Sequence, residues 1–238
     1  MSNQTIKSAL ITGGSKGIGL GIAEALLADG YHVAITGRDE AMLHLALQKL
    51  DTHKSGQVIG FQSDVREYSS QEQVVDQILQ KWGRLDVLVA NAGIGAFAPI
   101  DQMSLKQWED TMDINLTGVF NSVKTAIPAL KESKGYIITI ASLAGTNFFA
   151  SGAAYNASKF GLVGFSQAIM LDLRPYGIKV TTIMPGSVAT HFNDHLPSPM
   201  DAWKIQPEDL GQIVVDILHL PARTLPSKIE VRPSNPPK

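Results

Sequence analysis

Cysteine is absent from this 238-residue chain, which removes disulfides, thiolate metal sites and thiol nucleophiles together and fits a reducing compartment. No run of apolar residues approaches the ~20 needed to cross a bilayer, and Met1 to Leu10 carry no signal-peptide core. The expected location is cytoplasmic. Charge of either sign is scarce in the balance: 20 Lys and Arg against 22 Asp and Glu leave a net of -2, with no basic field to attract nucleic acid. What the chain does have is 44% hydrophobic residues, enough for a sizeable core. The length suits a single domain over residues 1–238.

Short apolar runs alternate with longer amphipathic ones, the pattern of a parallel sheet covered by helices. Strands are expected near Ser8–Ile11, His32–Ile35, Val58–Gln62, Val87–Ala90, Tyr136–Ile140, Lys179–Ile183 and Lys228–Val231. Helices are expected over Gly17–Asp29, Glu40–Lys49, Glu67–Trp82, Lys106–Leu130, Gly152–Tyr176 and Pro207–Leu218. The fold class is α/β, a doubly wound Rossmann-type layout whose ligands sit beyond the carboxyl ends of the strands.

Two stretches carry chemistry. The first strand runs into Thr12-Gly13-Gly14-Ser15-Lys16-Gly17-Ile18-Gly19 and then a helix. Glycines let that backbone turn sharply and approach a pyrophosphate, whose charge the helix N-terminal amides meet. The spacing is not G-x-G-x-x-G, so the general dinucleotide fingerprint fails as written. Further on, Tyr155 and Lys159 stand four residues apart, on one face if the segment is helical. A free phenol ionises near pH ~10, so a neighbouring ammonium would make it a better proton donor and acceptor at neutral pH.

Thr-Gly-x-x-x-Gly-x-Gly, Asn91-Ala92-Gly93, Asn115, Ser142, Tyr155-x-x-x-Lys159 and Pro185-Gly186 occur in that order. Their conjunction resembles the short-chain dehydrogenase/reductase family, over nearly the whole chain, and most closely its 3-oxoacyl reductase-like members. The resemblance implies a seven-stranded sheet, a nicotinamide dinucleotide and reversible hydride transfer to a carbonyl carbon. It gives Tyr155 the role of proton donor, Ser142 that of a second donor to the same oxygen, and Lys159 that of assisting Tyr155 while holding the ribose. Asn115 would help keep a water linked to Lys159. The local alternatives are a strand-end hydroxyl bonding its own backbone for Ser142 and a tolerated helix polar residue for Asn115.

For the cofactor, the resemblance implicates Gly13, Ser15, Lys16, Gly17, Ile18 and Gly19 around the pyrophosphate, and Asn91, Ala92 and Gly93 along the adenosine half. The family usually has Asn where this chain has Ala90. Asp64 and Val65 resemble the adenine-binding pair, although Asp64 could serve as a helix N-cap. Pro185, Gly186, Val188 and Thr190 resemble the segment bordering nicotinamide. An NAD-preferring protein generally carries an acid at the end of the second strand; Gly37 stands there, followed by Arg38. With Lys16 this predicts NADP (NADPH), Asp39 and Glu40 being read as helix-start residues favoured by the dipole.

The substrate walls implied by the resemblance are Phe97, Leu143, Phe148, Phe149, Phe192 and Trp203, around a short substrate loop at 187–206. These favour a small-molecule carbonyl substrate. Acyl carrier protein as a partner lacks its usual support, since Tyr176 occupies a position often basic in such reductases. His191 and His195, with Asp194, have a spacing that could serve one ion, but no third histidine lies near and no metal is expected. Leu162, Phe165, Ile169 and Leu173 recur beside the catalytic face, which predicts a homo-oligomer, most simply a homotetramer. Two other functions fit the same motifs: an NAD-dependent alcohol dehydrogenase, and a dinucleotide-sensing regulatory protein on the same scaffold.

Overall fold

A computed structural model describes residues 6–51 and 56–237. Seven parallel strands form one sheet: β1 (Ser8–Ile11), β2 (His32–Gly37), β3 (Val58–Gln62), β4 (Val87–Ala90), β5 (Tyr136–Ile140), β6 (Lys179–Pro185) and β7 (Lys228–Val231). Their order is β3-β2-β1-β4-β5-β6-β7. The chain therefore winds outward from β1 in one direction and from β4 in the other. The crevice between the carboxyl ends of these two strands is where such sheets bind ligands.

Both faces of the sheet are covered, so the strands read as continuous apolar runs. Along β1, Ala9 and Ile11 join a core cluster with Ile22 and Leu26 of helix α1 (Gly17–Ala28), Leu43 of α2 (Glu40–Asp51) and Val214 of α7 (Pro207–His219). Leu10, between them, points to the opposite layer. There it meets Val74 of α3 (Tyr68–Trp82), Val123 of α5 (Gly118–Ser133) and Leu162 of α6 (Ala153–Leu173).

All the expected strands form, and two run longer. β2 continues to Gly37 because Thr36 and Gly37 still pair with Phe61 and Gln62, and β6 continues to Pro185 because it pairs with Val231. The single helix expected over Lys106–Leu130 is divided: α4 (Leu105–Met112) passes through a π-helical turn, Asp113–Thr117, into α5. A π-turn accommodates one extra residue per turn and is common at functional positions. Asn115 lies inside it, and its side chain binds backbone outside the helix. At the other catalytic segment, α6 tightens into a 3-10 turn at Arg174–Tyr176 and stops at Gly177, whose φ of 75° is left-handed.

Candidate active site

The glycine turn is braced by β4. The Thr12 hydroxyl accepts from the backbone N–H of Asn91 at 3.0 Å and of Ala92 at 3.1 Å. Asn91 Nδ2 donates to the carbonyls of Thr12 and Gly13 at 2.9 and 3.0 Å. The Asn91 amide thus shapes the turn. Gly13 has a φ of +65°, and a Cβ on Gly19 would stand 2.4 Å from the Gly13 carbonyl oxygen. Any side chain at Gly19 would push the helix away from the turn. Lys16 occupies the N-cap of α1 without a side-chain capping bond. The first amides of that helix are therefore left to meet an anion.

Helix α6 carries Tyr155 and Lys159 one turn apart, as the spacing predicts. Lys159 is 4% exposed and donates to the Ile140 carbonyl at 3.0 Å. Burial pushes its ammonium down to about 8. Burial also pushes the Tyr155 phenol up from its ordinary value, opposed by a hydrogen bond from Ser142. The Lys159 ammonium lies 5.7 Å from the centroid of the Tyr155 ring. In this state Ser142 is the group that opposes the burial of the phenol, which stays protonated at neutral pH.

Ser142 follows β5 and opens a short 3-10 turn, where its hydroxyl accepts from Ala144 N–H at 3.1 Å. It thus fills the local role while also standing against the Tyr155 phenol. Asn115 is fully buried, and both its amide hydrogens are used, on the Ile94 carbonyl at 2.9 Å and the Ser158 hydroxyl at 3.0 Å. Its oxygen accepts from Ile94 N–H at 2.8 Å. Asn115 therefore joins the Gly93–Ile94 backbone to helix α6 from behind the cavity. A Cβ on Gly93 would lie 3.6 Å from Lys159 Nζ, so the glycine leaves the ammonium reachable from the cavity.

These elements enclose a cavity of about 660 Å³, within the ordinary range for small-molecule sites. Gly13, Ser15, Lys16, Gly17, Ile18, Asn91, Ala92 and Gly93 line it, as do Asp64, Val65, Ser142, Tyr155 and Lys159. So do Pro185, Gly186, Val188 and Thr190. Gly19 and Asn115 support the wall from behind. At the β2 end, Arg38 and Lys16 are exposed and make no ion pair among the described residues. Asp39 accepts from Met42 N–H at 3.0 Å, which makes it the cap of α2. The Asp64 carboxylate is taken up by Arg66, at 2.6 Å, and held below its usual range by that bond. It is no helix cap, since α3 begins at Tyr68.

Several lining residues had no signal in the motifs: Thr36, Met42, Ser63, Ile94, Ile114, Ser187 and Lys204. Thr36 and Ser63 could have been found from their places at strand ends. Lys204 reaches the cavity only through the folding of the 187–206 loop. Of the expected substrate walls, Phe192 lines the cavity, and Phe97 contacts both Tyr155 and Phe192. Phe149 stands against Phe97, and Leu143 packs near Gly186. Phe148 is 87% exposed and forms no wall, and Trp203 is likewise outside the lining. His195 is turned to Asp201 at 2.7 Å, and no cluster of three metal-ligating side chains occurs among the described residues. The side chain of Asp194 lies outside the described residues.

A doubly wound parallel sheet with an uncapped glycine turn, a buried lysine and a phenol at one crevice has the makings of a dinucleotide-dependent oxidoreductase. Residues 7–201 match the short chain dehydrogenase family, and the chain belongs to that family of NAD(P)-dependent oxidoreductases. It is 31% identical over 232 residues to an uncharacterised oxidoreductase of Staphylococcus saprophyticus, covering 95% of this chain and 97% of that one. It is 34% identical over 197 residues to a 3-oxoacyl-[acyl-carrier-protein] reductase of Synechocystis, covering 82% and 80%. Among solved structures it resembles an alcohol dehydrogenase of the archaeon Thermococcus sibiricus complexed with 5-hydroxy-NADP. The TM-score is 0.91 at 27% identity, with 98% of this chain and 99% of that one covered. No described helix is long and apolar enough to cross a membrane.

Proposed function

We propose that this chain is an NADP(H)-dependent carbonyl reductase acting on a ketone-type substrate. The observation that carries this reading is the meeting of Tyr155, Ser142 and Lys159 at one end of a cavity whose other end is the glycine turn. The residues fit a nicotinamide dinucleotide. The α1 amides suit its pyrophosphate, Arg38 and Lys16 a 2′-phosphate, and Asp64 and Val65 the adenine. Pro185, Gly186, Val188 and Thr190 suit the nicotinamide. Lys159 uses one of its three donors on Ile140, leaving two for ribose hydroxyls.

When bound, the cofactor supplies the hydride. The protein's part is proton and charge management at the carbonyl oxygen. Ser142 and Tyr155 present two hydroxyl donors where negative charge develops. Tyr155 gives its proton to that oxygen, and the carbonyl becomes an alcohol. Burial pushes the phenol further up from its ordinary value, so at neutral pH it carries the proton that a reduction requires. Lys159 faces the same space and would stabilise the phenolate left behind, as well as hold the ribose.

The test is a carbonyl panel followed at the nicotinamide absorbance with NADPH and NADH, repeated with Tyr155→Phe. Wild type should turn over with NADPH. The variant should lose at least ~100-fold in turnover, the usual share of general acid catalysis, while still binding NADPH. A Tyr155→Phe protein with near-normal turnover would rule out this proton donor.

The reading includes assembly from several copies. Phe120 and Phe165 form an edge-to-face pair on α5 and α6 with Phe120 45% exposed, and Phe160 and Leu171 on α6 are 44% and 58% exposed. Such a face is best covered by another subunit, ultimately in a tetramer. A monomeric mass by light scattering at micromolar protein would contradict this.

A further inference from the structure

Tyr155 is held among aromatic rings. Phe97 stands edge-on to it at 5.4 Å between centroids, and Phe192 lies at 5.7 Å. Phe97 and Phe192 meet each other at 6.5 Å, so the three rings close on themselves. These separations lie within the range of favourable aromatic pairs. The three come from different parts of the chain: the segment after β4, helix α6 and the 187–206 loop.

The closure depends on Gly95. A Cβ there would stand 2.7 Å from the Phe192 ring and 2.8 Å from that of Phe97. Even the smallest side chain would force both rings from their seats. Phe192 is brought over by a turn in which Asn193 adopts φ 56°, ψ 46°, the left-handed conformation that asparagine tolerates better than most residues. Phe97 and Phe192 nevertheless remain 38% exposed each. They retain apolar ring surface that a ligand can cover.

Among the described side chains of the same loop, Asp201, Lys204 and His195 are matched to one another. Asp201 is buried and takes Lys204 at 2.6 Å and His195 at 2.7 Å, and it also accepts from Ser198 N–H at 3.0 Å. Lys204 and His195 line the cavity already partnered. Of the other cations lining the cavity, Lys159 is buried on the Ile140 carbonyl, and Lys16 and Arg38 belong to the β1–α1 turn and the end of β2. Those strands lie on the far side of β4 from β5 and β6. Among the described side chains, a carboxylate or phosphate on the substrate would meet no unpaired lysine or arginine of the loop beside these rings.

We propose that the substrate is a neutral ketone bearing a ring, aromatic or alicyclic, next to the reacting carbon. Phe97 and Phe192 grip that ring beside the Tyr155 hydroxyl. The proposal rests on the hydride-transfer reading above for its chemistry, and on the ring cluster and the matched loop charges for its specificity. Phe97 and Phe192 are specificity-determining residues and take no part in proton transfer.

The test uses the intact protein with NADPH and four methyl ketones: acetophenone, cyclohexyl methyl ketone, octan-2-one and 4-acetylbenzoate. The first three have equal carbon count, and the last adds a charge to the first. The two neutral ring ketones should exceed octan-2-one and 4-acetylbenzoate in kcat/KM by about tenfold or more, as two ring contacts of ordinary strength allow. Phe97→Leu and Phe192→Leu keep apolar bulk and remove the rings. Each should raise KM for the ring ketones several-fold more than it raises KM for octan-2-one.

Saturation-transfer NMR of acetophenone and octan-2-one on the NADPH complex reads the same preference without turnover. Preferential binding of acetophenone with no turnover of any ketone would sink the hydride-transfer reading and support the ring grip. Turnover of octan-2-one or 4-acetylbenzoate equal to or better than that of the ring ketones would overturn the ring grip and leave hydride transfer standing. Variants that lower the efficiency for all four ketones equally would also overturn it. Absence of both binding preference and turnover would sink both.

Discussion

Asn115 and Ile94 hold each other by two reciprocal hydrogen bonds, with Asn115 Oδ1 accepting from Ile94 N–H at 2.8 Å and Nδ2 donating to the Ile94 carbonyl at 2.9 Å. The side chain imitates a strand partner for a segment that has left the sheet. Its remaining hydrogen binds Ser158, whose own hydroxyl donates to the Tyr155 carbonyl at 2.8 Å. The loop after β4 and the helix bearing the phenol are thereby fixed to one residue of the π-turn.

Replacing Asn115 by Ala should leave the Ile94 amide and carbonyl without partners and destabilise the fold by roughly 1–3 kcal/mol, the cost of stranding buried polar groups. Chemical denaturation would show a lower midpoint with an unchanged slope, and turnover should fall more than cofactor affinity. Asn115→Asp loses the donors as well and should not restore stability. Wild-type denaturation behaviour in Asn115→Ala would show that these bonds contribute nothing net.

The buried Lys159 is expected to give the proposed reduction an alkaline limit. With its ammonium pushed down to about 8, the cation is complete below that pH and lost above it. The kcat/KM for reduction, which reports ionisations of the free protein, should be level at neutral pH and decline as pH rises through about 8. Lys159→Arg keeps its charge far above that pH and should lack this decline in whatever activity survives. A wild-type profile flat to about pH 10 would remove Lys159 as the titrating group.

Arg38 and Lys16 are expected to select NADPH. Charge-assisted contacts to a phosphate are worth ~1.5–3 kcal/mol each. Arg38→Ala should therefore weaken NADPH binding about tenfold or more while NADH is hardly affected. Fluorescence titration of both cofactors measures this directly. Equal affinity of the wild type for NADH and NADPH would return attention to Asp39, although that carboxylate is engaged in capping α2.

Asp201 is expected to hold the loop at 187–206 in place. Its carboxylate is pulled well below the usual range, first by Lys204 and then by His195 and the Ser198 amide. A depressed carboxylate contributes stability that is present above its ordinary pKa and fades as pH falls below it. Asp201→Asn should loosen the loop at neutral pH without unfolding the sheet. Limited proteolysis should cut the variant within 187–206 faster than the wild type, and KM for the ketone should rise.

His32 makes stability sensitive to mild acid. It stacks on Trp82 at 5.0 Å, its Nδ1 is buried without a partner among the described residues, and burial followed by the Lys81 charge lowers its pKa below 6.5. The neutral ring is the form the fold accepts. Its contribution is complete above pH 6.5 and is lost as pH falls through that value toward the lowered one. Between about pH 7.5 and about pH 5 the urea midpoint of the wild type should drop further than that of His32→Phe. Parallel drops in the two proteins would exclude His32 as a contributor.

The sequence alone determined everything that depends on local order along the chain. The strands were legible because both faces of a parallel sheet demand apolar residues, as in Ser8–Ile11 and Tyr136–Ile140. The glycine turn and the Tyr155/Lys159 pair were legible because their geometry is set within one turn of backbone. Tertiary structure decided what depends on meetings between distant segments. The π-turn at Asn115 follows from a bond to Ile94, 21 residues earlier. The upward displacement of Tyr155 and the downward one of Lys159 follow from burial by elements that neither residue's neighbours specify. Only folding sets Phe192 over Gly95. Local spacing can place a phenol and an ammonium on one helix face, but the solvent they lose and the rings that surround them are supplied by the rest of the chain.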